Sequence, residues 1–244
     1  ETLECRGKPI SNPRLAAHPR HTHTGRMSHI EIRIALVLSL LVAGISPAQA
    51  DVTPTALSII ETQVTKGRAP KTGYTRAQFG QTWADVDRNG CDTRNDILKR
   101  DLTGEVFKEK TRQCVVVSGT LIDPFSGETI NFVRGNVSSM EVQIDHVVAL
   151  SNAWQTGAFK LTIKERTAFA NDPMNLMAVK GRLNSQKGDG DAATWLPPLK
   201  SFRCDYVARQ IAVKLKYKLW FTAPEKEAMV RILKSCPEKA LPTT

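Results

Sequence analysis

Histidine is scarce in this sequence of 244 residues, and its distribution is uneven. Four of the five histidines precede residue 50, and these are His18, His21, His23 and His29. Only His146 remains beyond that point, and the sequence has no Cys-x-x-Cys pair. A structural zinc site takes four cysteine or histidine ligands, commonly in such closely spaced pairs. These absences therefore argue against a zinc site in residues 51–244, and a His-rich metal site in HPRHTH, residues 18–23, is an alternative that we do not favour.

Long apolar runs are also missing. The longest, IALVLSLLVAGI, has about a dozen residues, whereas a membrane-spanning helix needs roughly 20. Arg33 precedes this run, and Ala-Gln-Ala follows it, which is the small-x-small pattern that signal peptidase accepts. These features predict a signal peptide over residues 27–50 that is cleaved after Ala50. An uncleaved membrane anchor is the alternative.

The segment before the signal peptide, residues 1–26, has no Met and no hydrophobic periodicity. We interpret it as a non-native upstream segment, and we interpret residues 51–244 as a single domain. A chain of that length can bury a sizeable core. We expect the mature protein to be secreted or periplasmic, with no stable membrane association once the signal peptide is removed.

Acidic residues are outnumbered by basic ones, since 34 Lys and Arg stand against 24 Asp and Glu and give a formal net charge of +10. A secreted basic protein is typical of a polyanionic partner, such as nucleic acid, lipid headgroups or a cell-wall polymer. Charge that serves only solubility is the alternative.

Four cysteines lie beyond the signal peptide, and these are Cys91, Cys114, Cys204 and Cys236. An even number in an exported protein indicates disulfides, which form in oxidising compartments. Three pairings exist. We favour Cys91–Cys114 and Cys204–Cys236, because each closes a local loop beside predicted elements. Each would contribute about 3 kcal/mol in the chain-entropy model.

Apolar periodicity predicts an α+β protein, mainly helical around a small antiparallel sheet. Helices are predicted over 51–64, within TRAQFGQTW (75–83), over 91–102, from Thr162 to about 171, over 181–188, over 202–219 and from Thr222 onwards. A hairpin is predicted to pair 114–122 with 128–134, and further strands to cover 142–149 and 175–179. Two capping boxes support the helices that begin at Thr162 and Thr222.

An Asp-His pair interrupts the apolar strand EVQIDHVVAL, residues 141–150. Polar side chains inside such a strand cost free energy unless they are satisfied or used. Asn175 opens the next predicted strand, Asn184 follows nine residues later, and Lys187 lies one helical turn beyond Asn184. The pair alone favours a structural role, either a buried Asp–His hydrogen bond or a surface patch at a strand end, so the later residues carry the functional hypothesis.

The stretches IDHVVAL, NLMAV and LNSQKGD resemble the HNH endonucleases, the ββα-metal superfamily. The blocks NGCDTRNDIL, FANDPMNLMAV and GDGDAATWLPP are similar to a secreted branch that shares its module with the C-terminal domain of GmrSD-type restriction endonucleases. The resemblance covers about residues 75–236 and implies a ββα-metal core at about 141–190. Asn184 stands where the family motif ends in His, which makes it a weaker metal ligand.

This resemblance implies a metal-dependent endonuclease that hydrolyses phosphodiester bonds of nucleic acid, for which we favour DNA without sequence specificity. It makes His146 the general base, with a ring that Asn175 helps to orient. It makes Asp145 and Asn184 the ligands of one divalent metal ion, Mg²⁺ with Mn²⁺ as a substitute. Mg²⁺ prefers oxygen ligands and keeps several waters, so two protein oxygens suffice.

Two basic residues are expected to bind substrate phosphate. Lys187 would hold a flanking phosphate, and Arg94 would reach the phosphate at the active site through its guanidinium. A salt bridge from Arg94 to Asp96 or Asp101 is an equal alternative. Lys214, Lys216 and Lys218 are interpreted as a solvent-exposed basic face.

Three other functions remain open from the sequence. A non-catalytic DNA-binding module would retain DNA without cleaving it, and a phosphodiesterase would act on a diester other than nucleic acid. An antibacterial toxin would have the same chemistry and an immunity or inhibitor protein as its partner.

The stretch DVDRNGCDTRND, residues 85–96, matches much of a calcium-binding loop. Asp96 replaces the usual bidentate Glu, Asp92 stands where an apolar residue is typical, and Cys91 is predicted to be in a disulfide. We therefore favour a disulfide-anchored turn whose Asp and Asn side chains cap the following helix, with calcium binding as the alternative.

Overall fold

The computed structural model of the protein describes residues 53–136 and 138–243. The predicted upstream segment, 1–26, and the predicted signal peptide, 27–50, lie outside the described residues. Among the residues that are described, no helix combines the length and the apolar content that a bilayer crossing requires.

The α+β class is confirmed. Seven α-helices lie in the described part of the chain: α1 (Ala56–Thr62), α2 (Thr93–Asp101), α3 (Leu150–Gln155), α4 (Ile163–Ala170), α5 (Gly181–Lys187), α6 (Arg203–Lys216) and α7 (Ala223–Leu233). Five strands accompany them: β1 (Thr103–Phe107), β2 (Val116–Ile122), β3 (Thr129–Val133), β4 (Val142–His146) and β5 (Leu176–Lys180). Short 3-10 turns cover Arg76–Phe79, Ser138–Met140, Ala158–Lys160 and Lys200–Phe202.

The strands form two antiparallel sheets, where the sequence predicted one. The order of the first sheet is β1-β2-β3, and its β2–β3 hairpin is the predicted one, with Ile122 opposite Thr129. Strand β1 was not predicted. Its sequence, TGEVF, lacks an apolar alternation, and it is ordered by pairing with β2, with Thr103 opposite Thr120.

The second sheet consists of β4 and β5, with Ile144 opposite Ala178 and His146 opposite Leu176. Helix α5 follows β5 directly and packs on both strands, which gives the ββα order that the resemblance implies. The predicted strand 142–149 is shorter in the structure, because the backbone N–H of Val148 bonds to the side chain of Asn175 and does not continue the ladder.

Local capping signals set several helix starts. The Thr162 hydroxyl accepts from the backbone of Glu165, whose carboxylate bonds back to Thr162, and this capping box begins α4. The same arrangement of Thr222 and Glu225 begins α7. Asp92 caps α2 through the backbone N–H of Asn95, as expected of Asp at this position.

The helix predicted within TRAQFGQTW is only the 3-10 turn Arg76–Phe79. It ends at Gly80, whose φ is +75°, a conformation that favours glycine. An added Cβ at Gly80 would also collide with the Thr167 side chain of α4. Close packing against α4 therefore stops the helix.

Both predicted disulfides are confirmed, Cys91–Cys114 and Cys204–Cys236. The largest buried cluster surrounds α6, where Tyr206, Val207 and Ile211 pack in one core with Val147 and Val179. The second sheet thus packs against α6, which supports the end of β4.

The predicted solvent-exposed basic face is wrong for Lys214, whereas Lys216 and Lys218 are exposed. Lys214 is buried, and its ammonium pairs with the Glu225 carboxylate at 2.5 Å. Lys216 pairs with Asp172 at 2.7 Å. Burying Lys214 is tolerated because the capping carboxylate of α7 neutralises it, a tertiary pairing with no local sequence signal.

Residues 85–96 form a turn rather than an open ligand shell. The carboxylate of Asp85 accepts from the backbone N–H groups of Asn89 and Gly90, at 3.1 and 2.9 Å. Asn89 donates its side-chain amide to Asp87 and to Asp96. The turn interpretation therefore accounts for the acidic residues of this loop.

Candidate active site

The Asp-His pair presents its side chains to opposite faces of the second sheet. This follows from the alternation of side chains along a strand. Asp145 points towards α5, where it meets Lys187. His146 points towards the end of α4 and towards Trp83. The two residues therefore serve different chemical environments although they are neighbours in sequence.

His146 is fixed through one ring nitrogen. Its Nε2 lies 2.9 Å from the carbonyl oxygen of Ala170 at the end of α4. A carbonyl oxygen only accepts hydrogen bonds, so Nε2 carries the hydrogen in the neutral ring and Nδ1 has the free lone pair. The bond thus selects the tautomer as well as the orientation of the ring.

His146 is neutral at pH 7. Burial is the main cause that lowers the pKa of its imidazole to about 4; the positive charges of Arg76 and Lys187 add to the shift, and the bond to Ala170 opposes it. A protonated ring would be poorly solvated between these groups. The Nδ1 lone pair is therefore available at neutral pH.

A small cavity opens beside His146, between the end of α4 and the segment that follows the Arg76–Phe79 turn. Its lining includes Arg76, Gly80, Trp83 and Asn171. The Trp83 indole lies nearly parallel to the imidazole, at 15° and 6.2 Å between ring centroids. Trp83 has a φ of +59°, which a bulky residue adopts only at a cost of about 1–3 kcal/mol. Such strain is typical of functional sites.

Asn175 is fully buried and joins two backbone segments. Its Oδ1 accepts from the N–H of Val148 at 2.8 Å, and its Nδ2 donates to the carbonyls of Val148 and Phe169 at 3.3 Å. Asn175 makes no hydrogen bond to the His146 ring. Instead, Asn175 positions the loop after β4 against the end of α4. There the carbonyl of Ala170 accepts the hydrogen bond from Nε2–H of His146.

The loop between α4 and β5 is held by side chains that sequence analysis did not assign. Arg100 and Arg209 both donate to the carbonyl of Pro173. Asp172 accepts from the backbone of Met174 and from the hydroxyl of Tyr217, both within 2.9 Å. This loop is therefore rigid, and it fixes the place of Asn175.

Lys187 is buried against the proposed metal carboxylate, not open to a flanking phosphate. Its Nζ lies 2.7 Å from Oδ1 of Asp145 and 2.7 Å from the carbonyl oxygen of His146. Both side chains are almost completely inaccessible to solvent. The ammonium thus neutralises Asp145 and ties α5 to the end of β4.

The proposed metal ligands, Asp145 and Asn184, can be judged by which of their side-chain oxygens have no hydrogen-bond partner. Oδ2 of Asp145 is buried without a hydrogen-bond partner, which is costly unless something binds it. Asn184 donates its amide to Oε1 of Gln143 at 2.9 Å, so its Oδ1 is the group left to accept. Both are hard oxygen donors between β4 and α5, as Mg²⁺ prefers. The oxygen chemistry suits a divalent cation, but Lys187 already pairs with the buried Asp145 carboxylate, so a cation would enter only if that contact opened.

No group of three or more His, Cys, Asp or Glu that could hold a metal occurs within 53–136 and 138–243. A cation bound by Asp145 and Asn184 would thus take its remaining ligands from water and substrate.

Arg94 lies half-buried on α2 and makes neither of the two salt bridges considered from the sequence. Asp101 pairs with Arg100 at 2.6 Å, and Asp96 accepts from Asn89. Burial and the charge of Arg134 lower the pKa of Arg94. Arg94 does not line the cavity of His146, whereas Arg76 does, and sequence reasoning missed Arg76 because its turn had no recognised motif.

Comparison with known proteins identifies the family of the chain. The family of GmrSD restriction endonucleases, C-terminal domain, matches residues 92–232. An uncharacterized secreted protein of Arthroderma benhamiae is 35% identical over 208 residues, which cover 82% of this chain and 97% of that protein. No solved structure matches the chain. The protein therefore belongs to the family of C-terminal domains of GmrSD restriction endonucleases.

Proposed function

We propose that the protein is a secreted, metal-dependent endonuclease that hydrolyses phosphodiester bonds of nucleic acid, preferentially DNA and without sequence specificity. Membership of the family indicates a nuclease-related role, and the two disulfides fit an oxidising, extracellular compartment. The observation that carries the proposal is the neutral His146 ring, which is oriented through Nε2 and offers Nδ1 as a base.

In the proposed reaction, Nδ1 of His146 accepts a proton from the water that attacks phosphorus. A base whose pKa lies below the working pH is unprotonated, and its fixed orientation removes the entropic cost of aligning it. Asn175 acts through the backbone, because it holds the two segments that carry His146 and Ala170. His146 is thus the catalytic residue and Asn175 a positioning residue.

Asp145 and Asn184 would hold one divalent ion, Mg²⁺ or Mn²⁺. When bound, such an ion would supply positive charge for the phosphate and the leaving oxygen. Because Asp145 and His146 face opposite sides of the sheet, the ion and the base act on one phosphate only if it lies across the end of β4. The unpartnered Oδ2 of Asp145 supports this assignment. Lys187 would fix the orientation of the carboxylate by holding its other oxygen.

The first experiment is a cleavage assay. The purified protein is incubated with plasmid DNA, single-stranded DNA and RNA in Mg²⁺, Mn²⁺, Ca²⁺ or EDTA. We expect nicking and then linearisation of the plasmid in Mg²⁺ and Mn²⁺, and none in EDTA. DNA retention without cleavage in any metal would instead favour the DNA-binding module, and turnover of only a chromogenic diester would favour the other phosphodiesterase.

A further inference from the structure

One arginine in the cavity of His146 has no hydrogen-bond or ion-pair partner among the residues that the structure describes. Arg76 begins the 3-10 turn Arg76–Phe79, and its side chain is exposed. Within the described residues its guanidinium donates no hydrogen bond and forms no ion pair. It nevertheless lines the same cavity as His146, Trp83 and Asn171. An unpaired guanidinium beside a candidate base is available for an anionic ligand.

Three other arginines of the described chain differ from Arg76 because their guanidinium groups have protein partners. Arg68 pairs with Asp191 at 2.5 Å. Arg100 pairs with Asp101 and donates to backbone carbonyls. Arg166 donates to the carbonyl of Gln78 at 2.6 Å. The positive charge of each is already satisfied inside the protein, so Arg76 is the one that remains for a ligand at this cavity.

The turn that carries Arg76 is anchored to the helix that orients His146. The guanidinium of Arg166 on α4 donates a hydrogen bond to the carbonyl of Gln78. Asn171, which follows α4, donates its amide to the carbonyl of Gln81 at 3.3 Å. Gly80 packs so closely on α4 that an added Cβ would meet Thr167. The backbone of Arg76 and the ring of His146 are therefore both fixed relative to α4.

We propose that Arg76 binds the substrate phosphate at the bond that is cleaved. This rests on the proposed function and adds a substrate-binding residue to it. A planar guanidinium donates two parallel hydrogen bonds to phosphate oxygens. Its charge also stabilises the negative charge that develops on those oxygens as water attacks. Arg94, the earlier candidate, is half-buried beside Arg134 and outside the cavity.

The test separates binding from cleavage. Binding of a fluorescent DNA duplex is measured by anisotropy in EDTA, over a range of salt, for the wild type, Arg76→Ala and Arg76→Lys. Cleavage by the same variants is measured in Mg²⁺. Arg231→Ala is the matched control, because Arg231 is also exposed but lies on α7 away from the cavity of His146. Unchanged circular dichroism verifies each fold.

We expect Arg76→Ala to weaken duplex binding about tenfold and to reduce the salt slope by about one phosphate contact. We expect its kcat/KM to fall roughly 100- to 1,000-fold. Arg76→Lys should keep most of the binding but lose rate, since Lys is a point charge without the bidentate geometry. Arg231→Ala should stay within about twofold of the wild type.

The proposal is overturned if Arg76→Ala and Arg231→Ala weaken binding equally, or if the wild type binds no duplex. It is also overturned if Arg76→Ala cleaves as fast as the wild type. The proposed function can fail separately. If the wild type binds duplex but cleaves nothing in any metal, the nuclease is refuted while the binding comparison of the two alanine variants still decides the role of Arg76.

Discussion

Nε2 of His146 donates to the carbonyl oxygen of Ala170 across 2.9 Å, and this bond joins the end of β4 to the end of α4. It determines which ring nitrogen can act as a base. The same helix end is tied to the loop after β4 by Asn175. The position of the His146 ring thus depends on the backbone carbonyl of Ala170. The buried side-chain amide of Asn175 fixes the adjoining backbone at Phe169.

The first prediction concerns stability against pH. The pKa of His146 in the folded protein, about 4, lies below the ordinary value of about 6.5. The unfolded chain therefore binds a proton first as the pH falls. The neutral His146 ring contributes up to roughly 3 kcal/mol to the free energy of unfolding. This contribution is complete above about pH 6.5 and is lost progressively as the pH falls to about 4.

Urea unfolding at pH 7 and pH 4.5 measures this loss, with His146→Gln as the control that lacks the titrating ring. The difference between the two pH values should be smaller in the variant. An NMR titration of the His146 ring with a midpoint near 6.5 would contradict the prediction.

The second prediction concerns Asn175. Removing its amide by Asn175→Ala leaves the N–H of Val148 and two carbonyls unpaired in the interior. We expect a loss of roughly 2–4 kcal/mol in the free energy of unfolding, together with a fall in kcat. Urea unfolding and cleavage kinetics measure both effects. Asn131→Ala is the control, because Asn131 lies at an exposed position of β3, and it should change the free energy of unfolding by less than about 0.5 kcal/mol. An equal effect of the two variants would contradict the positioning role of Asn175.

The third prediction concerns the buried ion pair. Lys187→Met leaves the carboxylate of Asp145 buried without its cation, which costs about 3–5 kcal/mol. A divalent ion would offset part of this charge, so Mg²⁺ should raise the Tm of the variant more than that of the wild type.

Thermal unfolding in EDTA and in Mg²⁺ measures both effects. Lys71→Met is the matched control, since the Lys71–Asp189 pair is exposed and is worth at most about 1 kcal/mol. If Mg²⁺ shifts the Tm of Lys187→Met no further than that of Lys71→Met, the cation site at Asp145 is not supported.

Sequence reasoning succeeded where the signal was local. Two capping boxes and the β2–β3 hairpin follow from residues a few positions apart, whereas the ββα order was what the family resemblance implied. It failed where distant residues meet. The partner of Lys187 lies 42 positions away, and Lys214 finds its anion on another helix. Strand β1 depends on β2 for its order, and the place of Arg76 depends on its packing against α4.

The central claim is that His146 is the base of a nuclease. The most direct measurement is plasmid nicking in Mg²⁺ by His146→Ala, beside the wild type and with the fold verified by circular dichroism. His146 is the only histidine beyond residue 50, so the account predicts that nicking is abolished. A folded His146→Ala protein that nicks plasmid at the wild-type rate would contradict it.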